Sequence, residues 1–320
     1  LRNKTKGLRS KQTQLAIHNG PADLLLNHFH SGFCSMHFSS RLLYTGPNGP
    51  EKWGSLSPSY AACSNGKAQS PVDLMKMDIV FNKQLKNLER HYLPTNATLV
   101  NNKFNIGVHF EGKVGDISIN GKNYSLKQLH WHSPSEHKAN GRIHDAELHL
   151  VHQTEDNNTA VVAVLYNLGD PDPLISQIED ELVELEKEKH AGNEDAQIGI
   201  GTFDFEEINS SSHRYYRYVG SLTTPPCTEG VTWSILGKVR TLSKEQLKLL
   251  KAPLGPEFKH NARPLQQLNG RKIDMYYHPN HLHGTQETPS NVDFVLDSLC
   301  SQNWTRLTGH NNSTENLSSN

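Results

Sequence analysis

Two short segments hold most of the groups that could do chemistry. They are Gln128-Leu129-His130-Trp131-His132-Ser133-Pro134-Ser135-Glu136-His137 and Glu147-Leu148-His149-Leu150-Val151-His152. Along a β-strand, side chains alternate between faces. His130 and His132 would then point the same way, with Gln128 behind them, and Glu147, His149 and Val151 would share one face of the second strand. Two neighbouring strands could thus bring three imidazoles to one point. Three neutral nitrogens leave the fourth position of a tetrahedron open to water, the pattern of a catalytic rather than a structural zinc. A metal-bound imidazole must donate its other N–H to an acceptor, and Gln128 and Glu147 each stand two residues before a candidate ligand. A lone His-x-His among 19 histidines would mean little, and His278, His281 and His283 read as solvated side chains. The conjunction with an amide and an acid at strand spacing singles out the 130–149 cluster. On these residues alone it reads as a zinc-hydrolase or zinc-lyase site.

The flanking sequence supplies strands to carry it. Short apolar or alternating runs recur between turn residues from Leu42 to Tyr277, among them Asp116–Ile119, Leu148–Val151, Ala160–Tyr166 and Val231–Leu236. Asn120-Gly121 predicts a hairpin between two such runs. Two helices interrupt the pattern. Leu174, Ile175, Ile178, Leu182 and Leu185 recur at helical spacing, with Asp172 as N-cap and Pro173 at the first position. Lys244 to Leu250 follows Ser243, which has capping-box spacing to Gln246. The expected architecture is mainly β (α+β by strict count): a single domain on a large twisted, mostly antiparallel sheet with a few short surface helices. Residues 1–41 read as an irregular extension, 42–277 as the domain and 278–320 as a polar tail.

Bulk properties narrow the partners. A formal net charge of -1 over 320 residues offers no field to draw in nucleic acid or an anionic membrane. No run approaches the ~18 apolar residues of a membrane span. The four cysteines, Cys34, Cys63, Cys227 and Cys300, form no CxxC pair, and spacing cannot choose among their three pairings. Asn-x-Ser/Thr triplets begin at Asn3, Asn96, Asn123, Asn157, Asn209, Asn303, Asn311, Asn312 and Asn316. That density favours the secretory pathway or the extracellular space. The first residue is Leu1, and residues 1–40 show no basic region followed by a long apolar stretch, so no signal peptide is visible. A chloroplast location, stroma or lumen, is the alternative.

The two histidine segments resemble the metal-ligand strands of α-type carbonic anhydrases. The resemblance extends over residues 42–277. It includes Tyr44, Asn48-Gly-Pro-Glu-Lys-Trp53, Gln69-Ser-Pro-Val-Asp73, Ser221-Leu-Thr-Thr-Pro-Pro226, Val231-Thr-Trp233 and Arg263-Pro264. Tyr215-Tyr-Arg-Tyr-Val-Gly-Ser and Leu268-Asn-Gly-Arg271 are similar to the land-plant branch. The resemblance implies zinc-dependent, reversible hydration of carbon dioxide to bicarbonate and a proton, by zinc-hydroxide attack. It implies one Zn2+ on His130, His132 and His149, supported by Gln128, the backbone carbonyl of Asn261 and Glu147. Thr223 would accept a hydrogen bond from the hydroxide and pass its own hydrogen to Glu136. Val151, Val161, Leu222, Thr224, Val231 and Trp233 match the substrate pocket, although the apolar five read as plain core without the family. Cys63 and Cys227 match a disulfide of the secreted and membrane-anchored branches, which would tie down the loop carrying Thr223. Cys34 and Cys300 lie outside the matched region.

One departure stands out. The family's proton-carrying histidine lies in a segment like Asn-Asn-Gly-His, where this chain has Asn101-Asn102-Lys103-Phe104. Phe104 cannot carry a proton. His109 is near enough in sequence to substitute, yet it reads first as a surface strand histidine. The family also contains non-enzymatic storage members, which commonly lack a zinc histidine; all three remain here.

Overall fold

The computed structural model describes residues 42–209 and 213–278. Sixteen strands follow in chain order. The first eight are β1 Asp73–Leu74, β2 Ile79–Phe81, β3 Arg90–Tyr92, β4 Thr95–Asn101, β5 Ile106–Phe110, β6 Gly115–Ile119, β7 Lys122–His132 and β8 Lys138–Ala139. The rest are β9 Arg142–Ile143, β10 Ala146–Gln153, β11 Thr159–Leu168, β12 Gln197–Phe203, β13 Arg214–Ser221, β14 Glu229–Leu236, β15 Arg240–Leu242 and β16 Ile273–Tyr277. Thirteen of them form one sheet, whose main path runs β12-β4-β5-β7-β10-β11-β14-β13-β16-β2. Most neighbours are antiparallel; β11 runs parallel to β14 and β15, and β16 parallel to β2. The mainly β, mostly antiparallel expectation holds.

Local signals acted as expected at the tightest turns. Asn120 and Gly121 take φ of 52° and 76° between β6 and β7, the left-handed pair of a type I′ hairpin turn. The helices are short: α1 Trp53–Leu56, α2 Ala62–Asn65, α3 Pro173–Ser176, α4 Glu179–His190, α5 Glu206–Asn209 and α6 Lys244–Lys251. Ser243 and Gln246 close a full capping box on α6, satisfying two of the N–H groups orphaned at a helix start. Asp172 caps α3, accepting from Leu174 N and Ile175 N. The single helix expected from Leu174 to Leu185 is two pieces. Ile178 leaves helical geometry at φ -129° and ψ 10°, and Gln177 is bonded to the backbone of Asp204 through both side-chain atoms. All five apolar positions are nevertheless buried, so the periodicity reported a buried face rather than an unbroken helix.

The central strands are covered on both faces. Leu129, Trp131, Leu148, Leu150, Val162 and Val164 belong to the larger apolar cluster, together with the buried residues of α3 and α4. Val151, Val161, Val231 and Trp233 belong to a second cluster that Leu222 packs against. That second cluster shares its face of the sheet with the three histidines.

Candidate metal centre

Strand register sets the histidines side by side. On β7 and β10, His130 pairs with His149, Glu147 with His132, and Val151 with Gln128. Directly paired residues project from the same face, so the ligand face expected from alternation is formed. The same row continues through small residues. Gly107 on β5 pairs with His130, and Ala163 on β11 pairs with His149. The two imidazoles are therefore flanked by a missing side chain and a methyl group. A Cβ added at Gly107 would lie 2.7 Å from Asn102 Nδ2 and 3.2 Å from Leu129 O.

Ring nitrogens of His130, His132 and His149 lie within 4.8 Å of one another. His132 and His149 are each 1% exposed. Each ring uses one nitrogen in a hydrogen bond. His130 Nδ1 is 2.9 Å from Gln128 Oε1, His132 Nδ1 is 2.7 Å from Asn261 O, and His149 Nε2 is 2.8 Å from Glu147 Oε1. These acceptors can take only an N–H, so the tautomers follow: the lone pairs sit on Nε2, Nε2 and Nδ1. Burial pushes His130 well below the usual histidine range, helped by His132, His149 and His109, and burial also lowers His132. Neutral imidazoles are what a metal requires as ligands. His132 Nε2 is a buried nitrogen with no hydrogen-bond partner. Native interiors rarely leave such an atom unsatisfied, and a cation bound by the three rings would satisfy it. The donor set therefore fits a divalent metal of the zinc type.

Glu147 is fully buried and accepts four hydrogen bonds. Glu136 N and His137 N donate to Oε2 at 2.9 and 2.8 Å; His137 Nδ1 and His149 Nε2 donate to Oε1 at 2.6 and 2.8 Å. Burial pushes its pKa up, but His137 and His149 outweigh it and hold the carboxyl well below the usual carboxylate range.

Glu136 and Thr223 are both buried here. Glu136 Oε1 accepts from Arg263 N at 2.9 Å. Its Oε2 lies 3.6 Å from His132 Nε2 and has no hydrogen-bond partner. The bond expected from the Thr223 hydroxyl to Glu136 is not formed, because the oxygen that would accept it stands alone. The loop carrying Thr223 is fixed at both ends. Leu222 N donates to Thr228 O and Cys227 N to Thr224 O, both at 2.9 Å, and Cys63 and Cys227 form a disulfide. Arg263 brackets the same corner, donating to Gln69 Oε1, Ser70 O and Cys63 O.

Phe104 packs against the larger core cluster and its carbonyl accepts from Asn261 Nδ2 at 2.8 Å. His109 corrects the surface reading. It pairs with Gln128 across β5 and β7, so it stands on the ligand face, half-buried, and burial lowers its affinity for a proton. Of the expected pocket residues, Val151, Val161, Val231, Trp233 and Leu222 gather in one cluster on this face, and half-buried Thr224 follows Thr223. His281, His283, Cys34 and Cys300 lie outside the described residues.

The match to known proteins decides the family. Residues 48–277 match the model of the eukaryotic-type carbonic anhydrase domain. The chain belongs to the carbonic anhydrase family. It is 46% identical over 228 residues to alpha carbonic anhydrase 7 of Arabidopsis thaliana, covering 71% of this chain and 81% of that protein. It is 40% identical over 227 residues to dioscorin dioA3 of Dioscorea japonica, covering 71% and 82%. Among solved structures, the α-carbonic anhydrase of Thermovibrio ammonificans in complex with the inhibitor sulfanilamide superposes with a TM-score of 0.65 at 34% identity, covering 73% of this chain and 98% of that one. The plant resemblance agrees with these relatives.

Sequence reasoning quoted His137, Tyr218, Ser70 and Arg263 within its motifs but gave none of the four buried residues a part in holding the candidate site. His137 bonds Tyr218 across 81 residues of sequence, a separation that no local period can report.

Proposed function

We propose that this chain is a zinc-dependent carbonic anhydrase that interconverts carbon dioxide and bicarbonate at His130, His132 and His149. One observation carries the reading: all three imidazoles have their outer nitrogen committed to a separate acceptor, Gln128, Asn261 or Glu147, and turn the other inward. In carbonic anhydrases generally, a bound zinc lowers the pKa of its water to about 7, supplying a nucleophile at neutral pH. Glu147 keeps the N–H of His149 away from the metal side of the ring. Thr223, by the family resemblance, would accept a hydrogen bond from the attacking oxygen and turn its own hydrogen to the free oxygen of Glu136. Glu136 is held for this by Arg263 N. Val151, Val161, Leu222, Val231 and Trp233 would exclude water from around carbon dioxide. Metal analysis together with stopped-flow carbon dioxide hydration tests the proposal.

A binding or storage role without turnover is the second reading, favoured by Phe104 in place of a group that carries protons. Zinc-loaded protein that fails to hydrate carbon dioxide even in concentrated imidazole buffer would establish it.

We also propose passage through the secretory pathway. The Cys63–Cys227 pairing supports it, since disulfides persist in oxidising compartments. So do exposed asparagines in the triplets at Asn96, Asn123 and Asn157. Asn209 differs: its side chain accepts from Tyr92 N at 2.9 Å and donates to Tyr92 O at 2.8 Å, so a glycan there would break both bonds. Glycopeptide mapping of protein from a plant secretory system should find glycans on the first three and none on Asn209. Glycan on Asn209 with the other three bare would overturn this assignment.

A further inference from the structure

Away from the metal centre, one lysine combines a weakened hold on its proton with open space beside it. Lys189 lies in the last turn of α4. It lines a cleft of about 230 Å³ together with Asn101, Lys103, Glu194, Glu257 and Phe258. The cleft borders the loop that carries Phe104: Asn101 ends β4, and its Nδ2 donates to Pro253 O at 2.8 Å. Lys189 is half-buried. Burial disfavours its ammonium and Lys259 adds to this by like charge; together they outweigh Glu257, Glu194 and Glu186, so Lys189 holds its proton less tightly than an ordinary lysine.

Lys251 is affected in the same direction, by burial and by the same Lys259. Space separates the two. Lys251 lines a recess of about 10 Å³, no more than the room of one water, whereas the cleft beside Lys189 can hold a new carboxylate. The chemistry follows from the free amine. An ammonium has no lone pair and cannot attack carbon dioxide, and an ordinary lysine loses its proton at about 10.4. Burial or a neighbouring cation makes the amine available nearer neutrality. The Nζ lone pair then bonds to the carbon of carbon dioxide, one C=O electron pair moves onto oxygen, and the nitrogen releases a proton to water. The product is a carbamate, with one negative charge where the ammonium had one positive.

We propose that carbon dioxide modifies this chain at Lys189, forming a reversible Nζ-carbamate in the cleft between the end of α4 and residues 255–258, paired with Lys259 and Lys103. The change turns repulsion between Lys189 and Lys259 into attraction, and Lys103 supplies a second cation on the same cleft. Lys103 has an exposed pair with Asp195 at 3.7 Å, the kind of pair that contributes little, so it can exchange that partner for the carbamate at small cost. The reaction needs carbon dioxide and no metal, so its failure leaves the catalytic reading untouched.

The test is chemical trapping. The full chain is equilibrated at mildly alkaline pH with carbon-13-labelled bicarbonate and carbon dioxide, treated with triethyloxonium ion to fix carbamates as ethyl esters, and mapped by peptide mass spectrometry. Label is expected on Lys189 in several-fold excess over Lys251 and over exposed lysines such as Lys83. Lys189→Arg should abolish that label while keeping the charge, and Lys259→Met should lower it, because the neighbouring cation is gone. Label spread evenly over exposed lysines, label on Lys251 instead, or none on Lys189 overturns the proposal, as does undiminished label on Lys189 in Lys259→Met.

Discussion

Replacing Glu147 by glutamine changes one atom and should remove most of the metal affinity. Glu147 accepts four hydrogen bonds; a glutamine amide has one acceptor oxygen and one NH2 group. If the NH2 turns to the backbone side, Glu136 N and His137 N lose their acceptor. Two buried unsatisfied donors cost about 2–6 kcal/mol together, at about 1–3 kcal/mol each. The cheaper orientation turns the NH2 to the two imidazoles. His137 can answer by moving its hydrogen to Nε2, since the Tyr218 hydroxyl can reverse. His149 has no harmless answer. It either holds an N–H against an N–H, at about 1–3 kcal/mol, or moves its hydrogen to Nδ1, the nitrogen turned to the metal. Either route weakens zinc binding by about 10–100-fold. The assay is chelator competition on the purified variant, with melting of the metal-free protein as the control for folding. Zinc affinity equal to that of the parent, in a variant whose metal-free form melts normally, would refute the reasoning.

Further outcomes follow from the same geometry. Thr223→Ala should keep zinc but lose on the order of 10²-fold in hydration rate, as when other preorganised hydrogen-bond partners are removed; unchanged kinetics at saturating buffer would count against its role. With Phe104 unable to relay protons, turnover should rise steeply with small imidazole buffers, and Phe104→His should raise it at low buffer while leaving the second-order constant for carbon dioxide nearly unchanged. His109→Ala should lower turnover at low buffer only if His109 carries part of that flow, since it stands on the ligand face. Finally, stability should fall with acid. His152 accepts from Tyr92 Oη, and burial pushes it down to about 3. The unfolded chain protonates it near 6.5, so the stability it contributes is complete above that pH and declines from there toward about 3, by about 2 kcal/mol at pH 5. Denaturant unfolding at pH 7 and pH 5 measures this, and equal stability at the two pH values would exclude it.

The ligand set was legible because strand alternation and the β7–β10 register obey the same period of two: His130, His132 and His149 needed only adjacency to converge. Gln128 and Glu147 were legible for the same reason, lying two residues from their ligands. Asn261 came only through the family, because a backbone carbonyl 129 residues away leaves no mark in composition or spacing. His137, Tyr218 and Ser70 were given no part because their bonds run across the sheet rather than along a strand. His109 was misread because its face depends on pairing with Gln128, which the order of residues alone does not give. The break at Ile178 escaped because periodicity reports burial, and all five apolar positions remain buried on either side of it.

The central claim stands or falls on zinc content and carbon dioxide hydration measured side by side in the intact protein and in His149→Ala. The account predicts one zinc per chain and rapid stopped-flow hydration in the parent, with both lost in the variant. Undiminished hydration in metal-free His149→Ala, or no hydration by the zinc-loaded parent in concentrated imidazole buffer, would contradict it.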